Sequence, residues 1–140
     1  MASLMQLDVL SPDEYVFKAD NVSLVQVETT GGGLGILPHH ATMIVALKRA
    51  PLKYRDDKGE AHYLCVDGGF LEMKNNKVTI MSVAAETAES IDVTKARADM
   101  KRAQDRIDNP VEGMDPAEVE AALQSAEARL KTVQLATARE

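Results

Sequence analysis

The stretch AAETAESIDVTKARADM, residues 84–100, divides the 140-residue chain into two parts with different composition. All five aromatic residues and seven of the eight glycines precede it, whereas alanine is the commonest residue from this point onward. The period of the apolar residues also changes here, from about two to about 3.6. Residues 1–88 are therefore predicted to form a β domain, and residues 89–140 an α-helical one.

Two helices are predicted in the second part. The first begins after Asp92, which can cap it, and continues to about residue 107. Its apolar residues recur at steps of four and three and share one face: Ala96, Met100, Ala103 and Ile107. After a break at residues 109–113, a capping box of Asp115, Pro116 and Glu118 starts a second helix, which runs to about residue 138. The short linker makes the helices antiparallel neighbours.

Small side chains dominate the predicted contact between the two helices. The apolar face of the second helix carries Val119, Leu123, Ala126, Leu130 and Val133. Alanine buries little area at about 25 cal/mol per Å², so the hairpin is predicted to be marginally stable alone and to move.

The first part has the pattern of short strands separated by turns. Residues 56–59 and Asn75-Asn76 are predicted to form tight hairpin turns, the second of type I′. Residues 43–47 are apolar throughout and are interpreted as a strand buried on both faces, and residues 31–35 as a flexible glycine-rich loop. Eight to ten such strands predict a sandwich or flattened barrel.

Composition excludes several classes of protein. The net charge of −6 is wrong for a nucleic-acid binder, which needs a basic surface. The single cysteine, Cys65, cannot form an internal disulfide and is interpreted as a buried structural thiol. Without a signal-peptide pattern or a run of about 18 apolar residues, the chain is expected to be soluble and cytoplasmic, with no direct membrane insertion.

No catalytic constellation can be assembled from the motifs present. The glycines at residues 31–35 lack the Gly-Lys-Ser/Thr ending of a phosphate-binding loop. His39 and His40 point opposite ways on an extended segment and have no ligand partner at suitable spacing, so no metal site is predicted. The basic residues of the helices are mixed with acids, which favours an exposed salt-linked face, for example Glu127 with Lys131.

Four motifs in series resemble the epsilon subunits of bacterial F-type ATP synthases. They are LDVLSPD at residues 7–13, GILPHHA at 35–41, VDGGFLE at 66–72 with NKVTI at 76–80, and AETAESID at 85–92. The resemblance covers nearly the whole chain in order. It implies a ten-stranded β-sandwich followed by a two-helix hairpin, in a subunit that is not an enzyme.

The family resemblance also implies a place in a rotary machine. The β domain would bind the gamma subunit and the c-ring of the central stalk, which couples ion flow to ATP synthesis at the cytoplasmic face of the cell membrane. The rotor contact is expected in the loop that contains Gly33, Gly35, Pro38 and His40.

The hairpin would act as a regulator in this family. Folded on the β domain it permits turnover; extended along gamma it contacts the catalytic alpha and beta subunits and blocks ATP hydrolysis. Arg129 and Lys131 are the expected contacts in the extended state.

Some family members bind ATP on the folded hairpin through the motif Ile/Leu-Asp-x-x-Arg-Ala. The matching candidate ligands here are Asp92, Lys95, Ala96, Arg102 and Arg129. Lysine replaces the arginine of the motif and loses its planar fork of donors. Ser125 stands where strong binders carry a second arginine, one turn before Arg129. We therefore expect ATP to be at most a weak regulatory ligand, and no cofactor to be required.

Two other functions fit the residues less well. A stand-alone ATP-sensing module would bind nucleotide strongly as an isolated chain. A generic adaptor would dock an assembly other than the ATP synthase, and co-purification with gamma separates it from the favoured hypothesis.

Overall fold

A computed structural model describes residues 3–138, which form seven β-strands followed by two helices. The strands are β1 (Met5–Ser11), β2 (Glu14–Thr29), β3 (Gly32–Ile36), β4 (Met43–Asp56), β5 (Ala61–Lys74), β6 (Lys77–Met81) and β7 (Ala85–Thr87). A single 3₁₀ turn, Ala88–Ser90, leads into α1 (Val93–Asp108) and α2 (Pro116–Ala138). A β domain with a C-terminal helical hairpin is thus confirmed.

Five of the strands close into a ring in the order β1, β6, β5, β4 and β2, because β1 pairs with β2 as well as with β6. The β1–β6 pairing is parallel and the others in the ring are antiparallel. β3 extends the sheet from β2, and β7 pairs with β5. Closure removes most of the open sheet edge that would otherwise invite aggregation.

The expectation of ten strands is wrong, because the long strands β2 and β5 each pair with three other strands along different parts of their length. β2 has 16 residues, and its first half pairs with β1 while its second half pairs with β3 and β4. β5 has 14 residues and pairs with β7 near one end and with β6 at the other. A reading of the sequence by turn signals counts such halves as separate strands.

Gly69 allows the bend in the middle of β5. Its φ of 101° is disfavoured for other residues, and a Cβ there would lie 2.0 Å from the carbonyl oxygen of Met81. β4 has its own irregularity at Pro51, which lies where the pairing of β4 with β2 skips register. A proline is tolerated at that point because no ladder hydrogen bond is required there.

The core of the barrel is aliphatic. Leu7, Val9, Leu71, Val78 and Ile80 are all inaccessible to solvent and come from three neighbouring strands. The inward residues alternate with outward ones, as predicted for β1. Asp8 departs from this pattern, since it points outward yet is 2% exposed, covered by Gln6 and Lys77.

The predicted turns are confirmed, but two loop or strand interpretations are wrong. Asn75 and Asn76 have φ values of 53° and 59°, as a type I′ hairpin requires. The glycine-rich segment is not a loop, since β3 pairs with β2 along five residues. The strand at residues 43–47 is buried on one face only, because Ile44 is 67% exposed.

The helical hairpin folds back onto the barrel. Asp92 caps α1 by accepting a hydrogen bond from the Lys95 backbone N–H at 3.0 Å, and Asp115 accepts one from the Ala117 N–H at 2.9 Å. α2 packs against α1 on one side and against β4 and β5 on the other. No helix within residues 3–138 has the length and apolar character needed to cross a membrane.

Candidate functional site

The loop predicted to contact the rotor lies at one end of the barrel and is held by hydrogen bonds. Gly33 and Gly35 belong to the edge strand β3, while Pro38 and His40 lie in the turn that follows it. Asn76 ties this turn to the β5–β6 hairpin by accepting a hydrogen bond from the His39 N–H at 2.8 Å. Gly33, Gly35 and His40 are exposed and available for a partner, whereas Pro38 is half-buried.

An apolar row crosses the outer face of the barrel. Cross-strand pairing places five outward residues side by side, in the order Ala46, Phe70, Met81, Leu10 and Tyr15. Phe70 and Tyr15 are each 54% exposed, and Met81 is 47% exposed. Ile44, two residues from Ala46 on β4, extends the row on the same face, and the exposed Val83 follows Met81 just beyond the end of β6.

A continuous exposed apolar surface of this kind marks an interaction site, whereas single exposed apolar residues do not. We call these seven residues, Ile44, Ala46, Phe70, Met81, Val83, Leu10 and Tyr15, the apolar row. Sequence reasoning missed it. The sequence does contain a signal for it: Phe70 in β5 and Met81 in β6 are apolar residues at outward positions, in strands where polar outward residues otherwise alternate with apolar inward ones.

The charged residues of the hairpin meet in a groove of about 430 Å³ between α1 and α2. Asp99, Arg102 and Arg129 line this groove. The Asp99 carboxylate has Lys95 Nζ at 2.9 Å, an Arg102 guanidinium nitrogen at 3.0 Å and an Arg129 guanidinium nitrogen at 3.7 Å. Arg129 also forms a two-pronged pair with Glu86 on β7, at 2.7 and 3.3 Å. We call these five side chains the charge network.

The protonation of the charge network follows from its contacts. The hydrogen bond from Lys95 lowers the pKa of Asp99, and Arg102 lowers it further, so this carboxylate is ionised at neutral pH. The hydrogen bond with Glu86 raises the pKa of Arg129 above its usual value. Every cation of the network therefore has a carboxylate partner within the chain.

The structure separates the five candidate ATP ligands into two sets. Lys95, Arg102 and Arg129 converge on Asp99, and Ser125 lines the same groove. Asp92 is used as the helix cap, and Ala96 is fully buried in the helix contact. Sequence reasoning did not assign a role to Asp99 or Glu86, although the i,i+4 and i,i+3 spacings of Asp99 from Lys95 and Arg102 were readable.

A second contact layer joins α2 to the barrel. Cys65 on β5 is 5% exposed and packs with Ala128, Ile91 and Val133, which confirms the predicted buried thiol. Burial raises the pKa of the Cys65 thiol to about 11. The neighbouring Thr132 is fully buried and donates its hydroxyl to the Ala128 carbonyl at 2.7 Å.

Arg49 forms the polar rim of that layer. It pairs with Asp67 and donates to Gln124 on α2 at 3.2 Å. Lys131 is exposed at the edge of the same interface, and within residues 3–138 it makes no ion pair with Glu127, so the predicted pair is absent there.

The third histidine belongs to a turn. His62 Nε2 lies 2.9 Å from Asp56 Oδ2, while Asp56 Oδ1 accepts the backbone N–H groups of Lys58 and Glu60. The hydrogen bond with His62 lowers the pKa of Asp56. Asp56, Glu60 and His62 come close enough to hold an ion, but their hydrogen bonds already account for the arrangement as a hairpin turn.

The described residues thus combine a barrel with an outward apolar row and a docked hairpin with internally paired charges, which defines a protein-binding module. Two family models match the chain: the ATP synthase Delta/Epsilon chain beta-sandwich domain over residues 4–88, and the long alpha-helix domain of the same family over residues 89–134. The chain belongs to the ATP synthase delta/epsilon chain family. It is a non-catalytic subunit of that complex.

Similar proteins agree with this assignment. The ATP synthase epsilon chain of Bacillus velezensis is 40% identical over 126 residues, 90% of this chain and 94% of that one. The epsilon chain of Staphylococcus aureus is 35% identical over 131 residues, 94% and 97% of the two chains. A chain in the mitochondrial ATP synthase of Euglena gracilis, in a structure with the c-ring, superposes with a TM-score of 0.76 at 25% identity, over 91% of this chain and 79% of that one.

A further structural neighbour supports the fold alone. It comes from the central stalk and c-ring of the mitochondrial ATP synthase of Tetrahymena thermophila, with a TM-score of 0.55 and 19% identity, over 95% of this chain and 96% of that one.

Proposed function

We propose that this chain is a central-stalk subunit that docks to gamma through the apolar row, couples ion translocation to ATP synthesis, and regulates ATP hydrolysis through its helical hairpin. The observation that carries the docking is the run of outward apolar side chains centred on Phe70 and Met81. Interface cores are apolar and rich in aromatic residues and methionine, and this row has that composition.

The end loop is proposed as the contact with the c-ring at the cytoplasmic face of the membrane. Gly33, Gly35 and His40 are exposed there, and the hydrogen bond between His39 and Asn76 restrains the loop, which lowers the entropic cost of binding. In this proposal residues 1–88 anchor the subunit and residues 89–140 regulate it.

The hairpin is proposed to inhibit hydrolysis when it leaves the barrel and extends toward the alpha and beta subunits. In the docked state Arg129 is held by Glu86 and Asp99, so it becomes free for another acidic partner only after undocking. Lys131 is already exposed in the docked state. The small interface formed by Ala128, Thr132 and Cys65 supports reversible docking, since little apolar area has to be exposed.

The docking proposal is tested by replacing one aromatic side chain. Phe70→Asp should leave the barrel folded, because the side chain is half-exposed, but weaken co-purification with gamma by about 2 kcal/mol or more, roughly thirtyfold. Val111→Asp is the matched control, since Val111 is 52% exposed on the distant helix linker. Retention of gamma by the Phe70 variant, or equal loss in the control, would contradict the proposal.

The regulatory proposal is tested in the assembled complex. Deleting the chain from Asp92 onward should raise ATP hydrolysis while assembly remains intact, because the inhibitory helices are removed and the apolar row is kept. The controls are the full-length chain and the amount of gamma retained. An unchanged hydrolysis rate in a fully assembled complex would remove the regulatory role.

A stand-alone ATP sensor is less well supported than the stalk subunit. All three candidate cations are already paired within the charge network, and Ser125 supplies only a hydroxyl. Calorimetry on the isolated chain, with and without magnesium, should give ATP binding that is weak or absent. Micromolar affinity would favour the sensor instead.

A further inference from the structure

We propose that Asp99 is a built-in counter-ion that takes the place of a bound oxyanion in the groove between α1 and α2, so that the hairpin stays folded without a ligand. The inference develops the regulatory role proposed above, but it concerns the isolated chain. It assigns Asp99 as the residue that decides whether this groove accepts a polyphosphate.

The geometry around Asp99 is that of an occupied anion site. Cations approach its carboxylate from both helices, Lys95 and Arg102 from α1 and Arg129 from α2. Both oxygens are used, since Oδ1 accepts from Arg102 and Oδ2 from Lys95. Charge-assisted hydrogen bonds of this kind are the ones that a phosphate oxygen would make.

Removing the carboxylate would leave a cationic cleft. Arg102 and Arg129, which line the groove, and the nearby Lys95 would then lack their shared carboxylate, and Glu86 would remain as the acid that pairs with Arg129. Two further charged side chains line the groove, Arg106 and Glu118, and neither makes an ion pair within residues 3–138. The cleft of about 430 Å³ is large enough for a short polyphosphate chain.

The same carboxylate links the hairpin to the barrel. Asp99 connects α1 to Arg129, and Arg129 connects α2 to Glu86 on β7. Without Asp99 the three cations repel, and α1 loses its polar tie to the other two elements. Docking of the hairpin should then depend on an external anion. The anion should stabilise the docked state more as its concentration rises above its dissociation constant.

The direct test is calorimetry with inorganic tripolyphosphate on the full-length chain. Wild type should bind weakly, while Asp99→Ala should bind at least tenfold more tightly, about 1.4 kcal/mol, because a partly buried negative charge that repels the ligand has gone. Asp99→Asn removes the charge with little change of shape and should move in the same direction. Asp105→Asn, on the same helix with the same change of net charge, should bind as wild type does.

A second variant identifies the cations. The double variant Asp99→Ala with Arg102→Gln should lose most of the gain, since Arg102 is one of the groups released. Equal affinity of the Asp99 variants and wild type, or the same gain in the Asp105 control, would overturn the proposal. The assay needs no partner subunit, so its failure leaves the stalk role untouched, and failure of the stalk role leaves this result standing.

Alkylation of Cys65 gives an independent readout of docking, because the thiol is buried beneath α2. In Asp99→Ala without anion the alkylation rate should rise about tenfold, as for a shift of one order of magnitude in the opening equilibrium. Tripolyphosphate should return it toward the wild-type rate, while wild type itself should not respond. An Asp99 variant whose rate ignores tripolyphosphate would show that the carboxylate does not substitute for an anion.

Discussion

The barrel and the hairpin are held by different forces. The barrel buries large aliphatic side chains such as Leu71 and Ile80 completely, whereas the hairpin docks through alanines, a threonine and ion pairs. Burial of apolar area is not screened by salt and involves no titrating group, whereas ion pairs at partly exposed positions are weakened by salt and depend on pH. The difference explains how one chain can remain anchored by one part and switch with the other.

Truncation of a core leucine in the barrel should destabilise the protein most. Leu71→Ala should lower the free energy of unfolding by about 2–5 kcal/mol, because it leaves a cavity in a fully buried cluster. Leu123→Ala in the half-buried face of α2 should cost only about 1 kcal/mol. Urea unfolding followed by circular dichroism measures both. Similar losses for the two variants would mean that the hairpin contributes to the core as a strand does.

A smaller effect is expected from replacing Arg129, the α2 residue that pairs with both α1 and β7. Arg129→Gln should undock the hairpin and raise the alkylation rate of Cys65 roughly tenfold, since a two-pronged charged hydrogen bond contributes about 1.5–3 kcal/mol, reduced by solvent at this site. The barrel should keep its urea midpoint. Arg106→Gln is the matched control, because Arg106 lines the same groove and has no ion pair within residues 3–138.

Faster alkylation of Cys65 in the Arg106 variant, or an unchanged rate in the Arg129 variant, would mean that the Arg129 pairs do not stabilise docking. The apolar contacts of Ala128 and Thr132 would then be the alternative source.

The same contrast separates what the sequence could predict from what it could not. The Asp92 cap and the Asn75-Asn76 turn depend on a few neighbouring residues, and both were readable. The count of strands failed because continuity across the bend at Gly69 is a property of the closed ring, in which one strand serves two partners.

The candidate site was predictable only in its parts. Lys95, Arg102 and Arg129 were named as a set, but their common partner Asp99 and the Glu86 contact depend on the angle at which two helices meet a strand. The second face of α2 was missed for the same reason. Its buried Ala128 and Thr132 lie off the stripe of the first helix contact, so a single apolar period does not reveal them.

An intermediate effect concerns the pH dependence of docking. The Cys65 thiol has a pKa of about 11 when α2 covers it, raised by burial from its ordinary value of 9.0. The docked state therefore binds more protons between these values, and docking should be fully stable below pH 9 and weaken as the pH rises toward 11. The rate of alkylation against pH should show a midpoint near 11 for the native chain and near 9 in urea. A native midpoint near 9 would mean that α2 does not cover the thiol.

Salt alone should weaken docking of the hairpin only slightly. Lys95 and Arg102 are about two-thirds exposed, so their attraction to Asp99 is screened by mobile ions, whose Debye length falls from about 10 Å at 0.1 M to about 3 Å at 1 M. Raising sodium chloride over this range should accelerate alkylation of Cys65 about two- to threefold, in keeping with the 0.2–1 kcal/mol of exposed pairs. The urea midpoint for unfolding of the barrel, whose core contains Leu71, should not fall.

In the Arg129→Gln variant the salt dependence of the alkylation rate should shrink, because the pair that joins the hairpin to Glu86 is already lost. If the alkylation rate of that variant still rises with salt as in wild type, the salt dependence would come from Arg49 instead, which pairs with Asp67 and contacts Gln124 in the same interface.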